Sequence, residues 1–148
     1  MKRTLVFIMV AALAGIAATT GSATAAVRSG TLHVTKECSH YQGGAGEFCT
    51  ITSSNIPAIR AGMRVVYASA ADPTSGVLDS ALVIDGPGSN DAFGHVVLQL
   101  STLSGVVSLS GGTGTFAHFH AGPLTVACPA FPACSWDGPY AFTPPDND

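Results

Sequence analysis

After residue 26 of this chain, glycine, proline, serine and threonine interrupt every window before an apolar i, i+3, i+4, i+7 pattern can build up. What the sequence offers instead is short alternating or β-branched runs, closed by turn residues at intervals of about ten to fifteen residues. That punctuation makes helix hard to place and points to an all-β fold, an antiparallel barrel or sandwich, of which the barrel is preferred. Eight strands are predicted: "GTLHVTK" (30–36), "EFCTITSSN" (47–55), "MRVVYASA" (63–70), "VLDSALVID" (77–85), "FGHVVLQL" (93–100), "GVVSLS" (105–110), "GPLTVAC" (122–128) and "SWDGPYAF" (135–142). Pro73 and Gly76 mark one turn between them, and the link "STLS" suits a hairpin. Eight strands can close on themselves and leave no bare edge. The expected fold is therefore an eight-stranded antiparallel β-barrel, whose interior holds packed side chains or one small ligand.

The residues before this region read differently. Lys2 and Arg3 precede an apolar run from Leu5 to Ala18, and Ala23-Thr24-Ala25 follows as a small-residue cleavage site. The run is about fourteen residues, short of the roughly twenty a spanning helix needs, so a removed export signal is expected over a retained membrane anchor. The domain reading is residues 1–25 as signal peptide, 26–143 as one barrel domain and 144–148 as a polar, proline-bearing tail. Such a chain is secreted or periplasmic. Without Lys2 and Arg3, four basic residues face nine acidic ones, a formal balance of −5, which argues against nucleic acid or anionic lipid as the main partner.

Export places Cys38, Cys49, Cys128 and Cys134 where thiols oxidise. Four cysteines allow three pairings. Cys38 with Cys49 and Cys128 with Cys134 are expected, because each pair is close in sequence and encloses a loop-like segment. Zinc is the rival, but CxxC-type spacing is missing.

The densest cluster of special residues is "SGGTGTFAHFHAG", Ser110 to Gly122. Gly111, Gly112 and Gly114 fall just past a strand and suit a chain reversal. The stretch lacks the lysine of a P-loop and opens no helical pattern. Phe116 and Phe119 are three apart, which neither face of a straight strand produces, so one turn of irregular or 3₁₀ structure is expected to carry both into the core.

"GVVSLSGGTGTFAHFHA", Gly105 to Ala121, resembles the glycine, short apolar strand and GTGxFAG-type loop of allene oxide cyclases and dirigent proteins. His118 stands where many of those proteins have the glycine of FAG. More loosely, the likeness extends over most of the chain after the signal, and it takes in small exported bacterial proteins of that group. It implies an eight-stranded antiparallel barrel, often a homo-oligomer, whose lumen binds an apolar or phenolic small molecule. It also implies ring closure on an oxylipin epoxide or steering of phenoxy-radical coupling, without metal or organic cofactor. No motif here matches the lumen acids, tyrosines or arginines of the plant enzymes, so no catalytic residue is carried over.

Candidate ligand residues come from period-two reasoning. Arg64 and Tyr67 lie on opposite faces of their strand, so at most one faces inward. Asp79 and Asp85 share a face, as do Trp136, Tyr140 and Phe142. His118 and His120, one residue apart, would point the same way on an extended strand, the geometry of HxH metal sites, with His33, His95, Asp79 or Asp85 as further ligands. The residues favoured for a small-molecule site are Tyr67, Asp79, His118, His120, Trp136 and Tyr140. No GxSxG elbow supports a hydrolase. The readings in play are a lumen that binds a small apolar molecule, a secreted scaffold, a cofactor-free cyclase or isomerase, and a histidine metal-binding protein.

Overall fold

The computed structural model describes residues 28–143; the expected signal peptide and the tail lie outside them. Eight strands follow in chain order: β1 (Arg28–Glu37), β2 (Phe48–Ser54), β3 (Arg64–Tyr67), β4 (Val77–Asp85), β5 (Asp91–Gln99), β6 (Ser104–Gly112), β7 (Phe119–Ala130) and β8 (Ala133–Phe142). Each pairs antiparallel with the next, and β8 returns to β1 from Arg28↔Phe142 to Glu37↔Ala133, which closes the barrel. A 3₁₀ turn, Gly114–Phe116, connects β6 to β7.

The strands form where side chains alternate between the two faces. Leu32 and Val34 on β1, Leu78, Leu82 and Ile84 on β4, and Val107 and Leu109 on β6 all point inward and are buried. On β7 the inward set is Phe119 and Ala121, then Leu124 and Val126. The change from odd to even numbers is the work of an irregularity between Ala121 and Thr125 in the pairing with β8, since an inserted residue resets the two-residue period. One apolar cluster fills the interior, with Trp136, Phe116 and Phe119 among its largest members. An eight-stranded cylinder is just wide enough for such side chains, so most of the lumen is core.

The two ends of the cylinder are built differently. At one, which we call the glycine pole, Phe116 and Phe119 are fully buried with ring centroids 5.5 Å apart. The Gly111–Gly114 reversal is clasped there by the β4–β5 loop: Thr113 Oγ1 donates to Ser89 O (2.6 Å) and Thr115 N to Asn90 Oδ1 (2.9 Å). The expected 3₁₀ turn and core placement of both phenylalanines are thus present. At the other end, the disulfide pole, Cys38 is bonded to Cys49 and Cys128 to Cys134, the pairing expected from their spacing. Two such bridges fit an oxidising, exported environment. Among the described residues no helix is long and apolar enough to cross a membrane.

Candidate functional site

On β1 the inward alternation of Leu32 and Val34 continues to Lys36, which is only 5 % exposed. A lysine is almost never fully buried unless paired. Here the pairing is with aromatic groups alone. Lys36 Nζ donates to Tyr67 Oη at 2.6 Å and lies 4.4 Å from the Trp136 ring centroid, a distance at which a cation is drawn to the negative face of the ring. Tyr67 comes from β3 and Trp136 from β8, so barrel closure assembles the group from residues 31 and 100 positions away in sequence.

Tyr41, from the loop between the first two cysteines, completes the cluster, with its ring 4.8 Å from that of Tyr67. Its hydroxyl is buried and has no hydrogen-bond partner among the described residues, as is also true of Trp136 Nε1. The other buried polar side chain of the interior, Ser80, is fully engaged: its Oγ accepts from Ser69 N (2.9 Å) and donates to Ala81 O (2.7 Å). Lys36, Tyr41 and Tyr67 edge a cavity of about 20 Å³, walled by both disulfides and by Leu98 and Val126. On its outer side stand the loop residues Leu100, Leu103 and Phe131; Phe131 is 50 % exposed. A cavity of this size takes one water molecule or the terminal atoms of a larger molecule.

The electrostatics follow from burial without a counter-ion. Desolvation brings the Lys36 ammonium down from 10.5 to about 7, because the charged form loses water and no carboxylate among the described residues replaces it. Burial raises the Tyr67 phenol, with a smaller push from Tyr41. Tyr41 is raised by burial and then by the charge of Glu47. Near neutral pH the pole therefore holds an amine divided between its two protonation states beside a phenol that keeps its proton.

The six residues favoured by sequence separate in space. Tyr67 and Trp136 enter the lumen and meet at Lys36. Asp79 is exposed and pairs with His95 at 2.8 Å. His33 pairs with Asp137 and Arg64 with Asp85 (3.1 Å), all on the outer surface. His118 does not share a strand face with His120: it precedes β7 and adopts φ +63°, so the two imidazoles do not align as an extended HxH pair would. His120 and Tyr140 instead line a surface groove of about 550 Å³ beside the β7 irregularity, with Leu109, Pro123 and Pro139. Tyr140 also packs on Phe119 and Phe142. Among the described residues no group of three or more His, Cys, Asp or Glu is placed to hold a metal ion. No family model, curated protein or solved structure matches the chain.

Proposed function

We propose that this is an exported, allene-oxide-cyclase-like barrel, secreted or periplasmic after loss of its signal, that binds a small apolar molecule by an oxygen-bearing head at Lys36. The observation that carries the reading is an excess of buried donors at the disulfide pole. The Lys36 ammonium has three N–H donors and one hydrogen-bonded partner, Tyr67, and the Tyr41 hydroxyl beside it has none. A buried donor left without an acceptor costs about 1 to 3 kcal/mol, and a carboxylate, phenol or carbonyl oxygen in the cavity would relieve that. With the central lumen packed, the apolar part of the ligand lies outward, against Leu100, Leu103 and Phe131. The acidic balance of the chain suits a small-molecule partner better than nucleic acid, and the resemblance allows a homo-oligomer.

Trp136 is the chain's single tryptophan and supplies the test. Titration with hexanoate and with phenol should change its emission saturably, and Lys36→Met should abolish the change while circular dichroism shows the barrel intact. No saturable change with either probe between pH 6 and 9 overturns the reading. The Lys36–Tyr67 pair also favours a second reading, a cofactor-free isomerase or cyclase in which Tyr67 donates a proton and neutral Lys36 accepts one. Turnover lost in both Tyr67→Phe and Lys36→Met would support it.

A further inference from the structure

We propose that Lys36 captures aldehydes of one or two carbons as a reversible imine, its amine attacking within the cavity that Tyr67 and Tyr41 edge. The inference rests on the binding reading above and narrows the ligand to carbonyl compounds. Three features of the pole carry it. A primary amine is sequestered with no carboxylate in contact among the described residues, so no fixed negative charge holds it as an ammonium. A phenol lies 2.6 Å from that amine, within reach of an oxygen on any carbon the amine attacks. The adjoining space, about 20 Å³, admits a terminal carbonyl group with at most a short substituent behind it, and the carbonyl carbon itself must come to Nζ, deeper than a hydrogen-bonding oxygen needs to go.

The step balances without a co-reactant. The amine lone pair forms the C–N bond, and the C=O π pair moves to oxygen, which takes the Tyr67 proton. The resulting phenolate recovers a proton from the new ammonium, leaving a carbinolamine. Its hydroxyl takes the Tyr67 proton and departs as water while the C=N bond forms, and the last proton of the nitrogen passes to the Tyr67 phenolate, restoring the phenol. Aldehyde and amine become imine and water. The groups facing Lys36 are Tyr67 from β3, Tyr41 from the β1–β2 loop, Trp136 from β8 and the bonded cysteines of the cavity wall. Of these only the two phenols titrate, and both are raised, so loss of the Lys36 proton sets the pH dependence of attack.

The chain is suited to the test, because Lys36 is its only lysine after Lys2. The folded protein is treated with acetaldehyde and cyanoborohydride at pH 7 and digested, and ethylation of the Lys36 peptide is followed by mass spectrometry. Lys36 in the folded protein should react at least about tenfold faster than in the unfolded chain at the same pH, since a lysine of ordinary pKa is almost wholly protonated there. Between pH 7 and pH 5 the rate should fall by about tenfold or more. Tyr67→Phe should slow it by about tenfold or more through loss of the proton donor. Ethylation of Lys36 only after unfolding, or slower than in the unfolded chain, overturns the proposal. If phenol and hexanoate still bind saturably in that case, the imine fails alone; if neither binds, the shared site fails with it.

Discussion

Lys36 is the residue whose environment departs furthest from what its chemistry prefers, and its effect on stability has a defined sign. Between about pH 7 and the ordinary lysine value of 10.5, the unfolded chain holds a proton that the folded one has released. Folding stability therefore rises with pH through that window, by up to about 5 kcal/mol. Tyr41 and Tyr67 act in the opposite direction above their ordinary value of 10.0, so the contribution of this cluster should peak near pH 10. Denaturant titrations from pH 6 to 9.5 should show the rise in the natural protein and its loss in Lys36→Met, which should be the more stable of the two at pH 6. A flat profile in the natural protein would mean that the amine is hydrated. The cluster was half legible in the sequence. Lys36 follows Leu32 and Val34 at the two-residue spacing, so alternation aimed it inward, but a charged residue at a strand end ordinarily reads as solvent-facing. Tyr67 and Trp136 were named among the candidates. Tyr41 lies between two cysteines in a loop with no period, and only the closed barrel brings it to Tyr67.

At the scale of elements, the β6–β7 connection shows how a glycine is required. Gly114 has φ +56°, and a Cβ built there would collide with the Asn90 side chain and crowd Ser89 O. Gly114→Val should lower stability by roughly 1 to 3 kcal/mol, read as a fall in melting temperature, because it adds backbone strain and also breaks the clasp on the β4–β5 loop. An unchanged melting point would mean that the reversal is made without that clasp. All eight strands were visible in the sequence because each alternates or is β-branched and ends at a turn. Their limits were less so. β3 is only Arg64–Tyr67, although the pattern ran to Ala70, and β7 begins at Phe119, three residues before the predicted start. In β7 the irregularity near Gly122 breaks the period, so the strand predicted from Gly122 did not reach back to His120, which belongs to it. His118, read as extended alongside His120, instead holds a left-handed conformation that histidine tolerates better than most residues.

For the whole molecule, stability divides between closure and cross-links. The ring of eight antiparallel pairings has no free edge, and the two cystines, spanning 11 and 6 residues, restrict the unfolded chain by roughly 2 to 3 kcal/mol each in the loop-entropy view. Full reduction should lower the melting temperature by about 10 °C or more yet leave a β-rich circular dichroism spectrum at 20 to 25 °C. Collapse of that spectrum on reduction would mean that the strands depend on the bridges. Non-reducing peptide mapping should join the fragments of Cys38 and Cys49, and those of Cys128 and Cys134. The pairing of Arg28 with Phe142 carries one more consequence. A cylinder whose last stave lies beside its first has no privileged starting point: a short linker across that seam and a new opening in the 100–103 hairpin would give a circularly permuted chain with every ladder kept. Fastened to a surface through a residue at that end of the seam, the barrel would stand with its amine-bearing mouth turned away from the support.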